Sequence, residues 1–167
     1  STALTKIGWD LTVIVAKSFE NEVELFKKLS MSKNLSGLII SRTLRNDERF
    51  KILTDLKIPF VAHGRSINCS TSSWLDVDNE SAFFDMTKHF VSLGHKKIAH
   101  ICGPNVYNFS IQRIEGWKKA LMESGIQIKS EFLQVADLSF DGGKIAMDKL
   151  LKLKNLPTAV SCVSDTV

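Results

Sequence analysis

The sequence predicts a soluble α/β fold with doubly wound parallel sheets, and three observations support this prediction. Apolar runs of strand length alternate with amphipathic segments of helix length along the 167 residues. The runs at 11–16 (LTVIVA) and 37–41 (GLIIS) are continuously apolar, which is typical of parallel strands that helices cover on both faces. Hydrophobic residues make up 44% and charged residues 24% of the chain, so it can bury an ordinary globular core.

Each element has a local signal in the sequence. Val23, Phe26 and Leu29 follow the spacing of one helix face. Pro59 begins a strand where no ladder donor is needed, and Gly94 ends a helix. In chain order we expect strands at 11–16, 37–41, 59–62, 97–102, 132–136 and 158–163, an extended piece at 74–77, and helices at 21–29, 47–56, 78–94, 111–124 and 142–153.

Charge and cysteine content exclude several classes of protein. The net charge of +4 is mild, and the Lys and Arg residues are scattered, which does not indicate a dedicated nucleic-acid surface. Cys69, Cys102 and Cys162 form no C-x-x-C pair and match no zinc spacing, so a reducing compartment fits. No signal peptide opens the chain, and no apolar run is long enough to span a bilayer.

Motifs for catalysis are missing from the sequence. There is no G-x-G-x-x-G, no P-loop and no G-x-S-x-G elbow, and the four histidines have no metal-ligand spacing. Nothing places a nucleophile beside a base and an orienting group. We therefore expect a binding protein with no cofactor, no metal and no catalytic residues.

The ends of the predicted strands give the first candidate site residues. Ligands of parallel sheets bind at the carboxyl ends of the strands. This rule selects Arg42, His63 and Arg65, each of which could instead pair with an Asp or Glu. Asp76 and Asp78 point the same way on an extended piece, which suits either an acid–base or metal pair or a helix cap. A helix cap formed by Asp78 or Asn79 is the favoured interpretation.

Several spaced motifs resemble the lactose/galactose repressor (LacI/GalR) family. The run 74–82 (WLDVDNESA) resembles V-x-x-D-N-x-x-A, and 89–104 (HFVSLGHKKIAHICGP) closely matches H-L-x-x-L-G-H-x-x-I-A-x-I-x-G-P. Residues 113–117 match R-x-x-G-[FW], and 121–126 match L-x-x-x-G-I. The motifs occur in the family's order along essentially the whole chain.

The resemblance implies a type I periplasmic-binding-protein-like fold with two Rossmann-like lobes and a ligand cleft between them. Residues 1–103 would form the N-terminal lobe without its first strand, and 104–167 part of the C-terminal lobe. The family's helix-turn-helix, which binds operator DNA as a dimer, has no counterpart here. We therefore expect a domain that is incomplete at both ends and that reaches DNA only through a preceding domain.

The resemblance also assigns ligand contacts. Arg113 matches the arginine that hydrogen-bonds the effector, and a guanidinium suits vicinal hydroxyls or a carboxylate. Asp165 matches the family's aspartate, although Ser164 replaces the usual asparagine before it. The cleft loop offers two aromatic residues, which could either stack on a sugar or pack within the loop. A third aromatic residue could replace the one that many members carry where this chain has Leu138. These three residues are Tyr107, Phe109 and Phe140.

The function implied is effector sensing, with a sugar as the expected effector, in a cytoplasmic, homodimeric transcriptional regulator that has no membrane association. One alternative is a periplasmic sugar-binding protein of an ABC transporter, which has the same fold. Another is a doubly wound enzyme such as a small-molecule transferase. A helix-turn-helix or a secretion signal upstream would distinguish the first two.

Overall fold

A computed structural model describes residue 4 and residues 6–32, 35–69 and 72–167. Every predicted helix is present, and the α/β class is confirmed. The elements are α1 (Phe19–Ser30), β1 (Leu38–Ile40), α2 (Glu48–Asp55), β2 (Phe60–His63), β3 (Ser73–Leu75), α3 (Asn79–Ser92), β4 (Ile98–Cys102), α4 (Asn108–Glu123), a 3₁₀ turn (Ser130–Phe132), β5 (Leu133–Val135), α5 (Phe140–Leu151) and β6 (Ala159–Cys162).

The predicted strand at 11–16 is wrong. These residues have no regular secondary structure, and Val13 and Val15 are 78% and 84% exposed. A β-branched, apolar run has strand propensity, but that propensity is realised only when a neighbouring strand completes the hydrogen bonds and covers the side chains. No strand in the described part of the chain pairs with this run.

The strands form two three-stranded sheets, in the orders β1-β2-β3 and β5-β4-β6. Parallel pairing joins β2 to β3 and joins β4 to both β5 and β6, as the sequence predicts. All five residues of β4 are buried, because β4 is the central strand of its sheet and helices pack beside it. The core around β4 contains Ile98, Ala99, Ile101, Trp117, Leu121, Phe132, Ala136, Ala146 and Leu150.

Helices α3 and α4 approach each other closely at Gly116. A Cβ atom there would lie 2.1 Å from the Glu80 carbonyl oxygen and 2.9 Å from the Phe84 nitrogen. Only glycine leaves room for this backbone contact. The close approach places the first turn of α3 next to Arg113 of α4.

The chain divides into two compact units. The first contains Ser1–Leu38 and Glu48–Pro59, and the second contains Ile39–Asp47 and Phe60–Val167. In the first unit, Arg49 of α2 forms an ion pair with Glu22 of α1 at 3.1 Å. The predicted lobe boundary at 103 falls inside the second unit and stays a prediction. None of the helices in the described residues is both long and apolar enough to cross a membrane.

Candidate functional site

A cleft of about 420 Å³ lies within the second unit. Its volume falls in the range of small-molecule sites, which is about 300–1,000 Å³. Its walls come from residues at or just after the ends of β1, β2, β3, β5 and β6 and from the first two turns of α3 and α4, as the strand-end rule predicts. The lining residues are Ser41, Arg42, Thr43, His63, Gly64, Asp76, Val77, Asn79, Phe109, Arg113, Leu138, Ser164 and Thr166.

Arg113 projects into this cleft from α4 and is held on several sides. Its Nε donates to Asn79 Oδ1 at 2.8 Å, and its Nη1 donates to the Val163 carbonyl. The guanidinium carbon lies 5.2 Å from the ring centroids of both Phe83 and Phe109, within cation–π distance. Burial lowers the pKa of Arg113, and the nearby Asp76 charge opposes that shift. Arginine nevertheless stays protonated in proteins, so the cleft carries a fixed cation.

Asn79 connects Arg113 to the end of β3. Its side chain is buried, and its Nδ2 donates to Asp76 Oδ1 at 3.1 Å, to the Val77 carbonyl at 3.0 Å and to Gln112 Oε1 at 3.3 Å. Sequence reasoning treated Asn79 only as part of a helix cap. The cap itself is Asp78, whose Oδ1 accepts from the Ser81 amide at 3.1 Å, and this confirms the cap interpretation.

Arg65 does not line the cleft. Its backbone amide and its Nε both donate to Asp76 Oδ2, at 3.0 and 3.2 Å. The Arg65 carbonyl accepts from Thr43 Oγ1 at 3.0 Å and from Asn108 Nδ2 at 2.9 Å. Arg65 therefore takes the alternative role that the sequence left open, which is pairing with a carboxylate. Asp76 is the acid partner, and no metal cluster of three His, Cys, Asp or Glu forms in the described residues.

Among the described residues, two of the three non-glycine residues with a positive φ line this cleft. Arg42 has φ 52° and Leu138 has φ 70°, and both residues line it. Side-chain-bearing residues rarely adopt this left-handed region, and such residues cluster at ligand sites. Gly64 has φ 112°, and a Cβ there would lie 2.5 Å from Thr43 Oγ1. The turn after β2 therefore requires glycine.

Two of the predicted aromatic residues stack on each other. The rings of Tyr107 and Phe109 lie 5.6 Å apart at 14°, and only Phe109 lines the cleft. Phe140 is 74% exposed at the start of α5 and lies away from the cleft, where Leu138 itself forms the wall. The Ser139 cap explains this, because it begins the helix directly after Leu138 and leaves Phe140 on its outer surface.

Asp165 is exposed and is not part of the cleft wall, whereas Ser164 and Thr166 on either side of it are. Of the eight predicted ligand contacts, the structure thus brings Arg42, His63, Phe109 and Arg113 together. It places Arg65, Tyr107, Phe140 and Asp165 outside the wall. Sequence reasoning did not predict Asn79 or Thr166 as site residues, and Asn79 lies in the D-N motif that the resemblance had already highlighted.

Comparison with known proteins identifies the family. The sequence model described as "Periplasmic binding proteins and sugar binding domain of LacI family" matches residues 1–167. The chain belongs to this family. The LacI-family resemblance and the periplasmic-binding-protein-like fold predicted from the sequence are therefore confirmed.

Two LacI-family relatives are similar to most of this chain. The chain is 38% identical over 146 residues to the HTH-type transcriptional regulator AglR of Rhizobium meliloti, covering 87% of this chain and 41% of that protein. It is 30% identical to the HTH-type transcriptional regulator RafR of Escherichia coli, covering 92% of this chain and 45% of that protein. The chain thus spans less than half the length of these relatives.

Solved structures agree with the sequence relatives. A putative LacI transcriptional regulator from Bacillus cereus subsp. cytotoxis superposes with a TM-score of 0.91 at 25% identity, covering 99% of this chain and 59% of that one. The transcriptional regulator CelR in its cellobiose complex gives a TM-score of 0.80 at 25% identity, covering 90% and 46%. All four of these proteins are named as transcriptional regulators.

Proposed function

We propose that this chain is the sugar-sensing part of a cytoplasmic, LacI-type transcriptional regulator, and that its effector binds in the cleft lined by Arg113. The single observation that carries the proposal is the immobilised, half-buried guanidinium among polar side chains in a chain of this family. The cellobiose complex of CelR supports a sugar as the class of effector.

The cleft has the groups that a sugar requires. The guanidinium of Arg113 presents planar N–H donors that suit a pair of vicinal hydroxyls. Phe109 offers an apolar ring for one face of a pyranose. The hydroxyl groups of Ser41, Thr43 and Ser164, together with His63, supply both donors and acceptors around the same cleft. We assign Arg42, His63, Phe109 and Arg113 as effector contacts.

The proposed output is a change in operator binding. Residues on both sides of the predicted lobe boundary at 103 line the cleft, so an effector there would bridge residues from both predicted lobes. An effector that binds one conformation better than the other shifts the population of states. In the parent regulator, a homodimer, the DNA-binding domain would report that shift.

The alternative, a sugar-binding protein of a transporter, uses the same fold and the same kind of cleft. The relatives favour the regulator, because both AglR and RafR are HTH-type transcriptional regulators. A transporter component would bind sugar without responding on DNA.

The test uses the parent regulator and a panel of mono- and disaccharides that includes cellobiose. At a hundredfold excess over its dissociation constant, a binding sugar should raise the free energy of unfolding by about 2.7 kcal/mol. The same sugar should change operator binding. Arg113→Ala should abolish both effects and leave sugar-free operator binding intact. Lys119→Ala, on an exposed part of the same helix, is the matched control and should behave as wild type.

Two outcomes contradict the proposal. If Arg113→Ala still responds to the sugar normally, the effector does not bind in this cleft. If a sugar stabilises the protein but leaves operator binding unchanged, the regulator assignment is wrong and the transporter class is favoured.

A further inference from the structure

We propose that Asn79 is a positioning residue for Arg113, whose amide fixes the guanidinium and keeps it from pairing with the carboxylate of Asp76. The inference rests on the proposed function only in giving Arg113 the role of an effector contact. The positioning itself is a property of the chain without any ligand.

The orientation of the Asn79 amide is set by its neighbours. Its Nδ2 lies within 3.3 Å of three oxygens, on Asp76, Val77 and Gln112. The Asp76 carboxylate and the Val77 carbonyl can only accept hydrogen bonds. The amide nitrogen must therefore face them, which leaves Oδ1 for the Nε of Arg113 at 2.8 Å. Since Asn79 is 2% exposed, water cannot readily replace these contacts.

Asp76 is already satisfied on both oxygens. Its Oδ2 accepts from the backbone amide and Nε of Arg65, and its Oδ1 accepts from the Val77 amide at 2.8 Å as well as from Asn79. The side chain of Asp76 is only 8% exposed. The carboxylate therefore neutralises Arg65 directly and reaches Arg113 only through the Asn79 amide.

The result is a chain of contacts in the order Arg65, Asp76, Asn79 and Arg113. Among the described residues, no carboxylate oxygen forms an ion pair with the Arg113 guanidinium within 4 Å. The Asp76 carboxylate pairs with Arg65 and is separated from Arg113 by the side-chain amide of Asn79. A direct ion pair would consume the donors of the guanidinium and cancel its charge. The neutral amide holds the same geometry while leaving the positive charge for a ligand.

A neutral amide is the side chain that fits both neighbours. An aspartate at 79 would attract Arg113 but would place a second carboxylate against Asp76, where the donor Nδ2 now lies at 3.1 Å. An alanine would leave both the Nε of Arg113 and the Oδ1 of Asp76 without this partner. The two substitutions therefore disturb the contact chain in different, distinguishable ways.

The experiment observes the Arg113 side chain directly, in the 167-residue chain with no sugar added. Uniform ¹⁵N labelling gives Nε–H resonances of the arginines, and Arg113→Lys identifies the one from Arg113. We measure its chemical shift and its rate of exchange with solvent. The variants are Asn79→Ala and Asn79→Asp, with Asp78→Ala as the matched control, since it removes the α3 cap without touching Arg113.

Asn79→Ala should speed the exchange of the Arg113 Nε–H by about tenfold or more, because a hydrogen bond to a charged group is lost. Asp78→Ala should leave that rate unchanged although it destabilises the helix. Asn79→Asp should move the Arg113 resonance with pH as the introduced carboxyl ionises between Asp76 and Arg113, whereas the wild-type resonance should not follow that titration.

The proposal is overturned if Asn79→Ala leaves the Arg113 resonance and its exchange unchanged, or if Asp78→Ala alters them equally. Should Asn79→Ala fail to fold, the pH response of Asn79→Asp decides instead, and its absence contradicts the proposal. Repeating the measurement with cellobiose added separates the positioning of Arg113 from the proposed sugar binding. If Arg113 is positioned as described yet no sugar binds, the inference stands and the proposed function fails.

Discussion

At the scale of single residues, His100 is a titratable group inside the second unit. Its Nδ1 lies 3.0 Å from the Ser161 hydroxyl oxygen and 3.2 Å from the Ser161 carbonyl oxygen. The carbonyl can only accept, and the hydroxyl donates its one hydrogen to the Ala99 carbonyl, so the imidazole proton is assigned to Nδ1. Its Nε2 is buried with no partner among the described residues. Burial, followed by the charge of Arg113, lowers the pKa of His100 to about 4, although the Ser161 carbonyl opposes the shift. Protonation would create a buried cation at Nε2.

This environment predicts a pH-dependent stability. The unfolded chain takes up the His100 proton below about pH 6.5, whereas the folded chain resists until about 4. The contribution of neutral His100 to the free energy of unfolding is therefore complete above about pH 6.5 and is lost as the pH falls towards 4. We expect the free energy of unfolding to fall by about 3 kcal/mol across that window. Urea unfolding at several pH values measures it, and His100→Gln should remove this part of the slope. An unchanged slope would contradict the assignment.

Sequence patterns predicted some of the residues that line the cleft and did not predict others. Arg113 could be predicted because it lies in a spaced motif and carries a side chain suited to hydroxyls. The contact with Asn79 could not, because the two residues are 34 positions apart and meet only through the packing of α3 on α4. Phe140 shows the opposite failure, since an aromatic residue near the expected position turned outward at a helix start.

At the scale of elements, the local spacing of apolar residues was sufficient to predict the helices but predicted one strand wrongly. Helix faces such as that of α1 repeat within the segment itself, so the sequence contains the information needed. A strand also needs a neighbour, and the residues at 11–16 have the right composition without a described partner. Non-local pairing is the information that a single apolar run lacks.

The contact between α3 and α4 gives a prediction at this scale. Gly116→Ala would press a methyl group onto the Glu80 carbonyl, so the helices must separate. We expect a loss of about 1–3 kcal/mol in the free energy of unfolding. The neighbouring Glu115→Ala, half-exposed on the same helix, should change it by less than about 0.5 kcal/mol. Urea unfolding compares the two, and equal effects would show that the helices are not in close contact at Gly116.

At the scale of the whole molecule, a periplasmic-binding-protein-like fold contains a cleft whose cation is fixed in place. The strained backbone of Arg42 and Leu138 and the shielded guanidinium of Arg113 converge on the same cleft. Such a cleft is organised before any ligand arrives, which lowers the ordering cost of binding. We propose this cleft of the second unit as the effector site.

The most direct test of that claim is a ¹H–¹⁵N titration of the 167-residue chain with the sugar panel, cellobiose included. We expect at least one sugar to shift a compact set of resonances around the cleft, among them those of Thr43, Gly64, Asn79 and Arg113. Two results would contradict the effector site proposed here. One is a set of shifts confined to residues elsewhere, for example those that line a smaller cavity beside α1, and the other is the absence of shifts with any sugar.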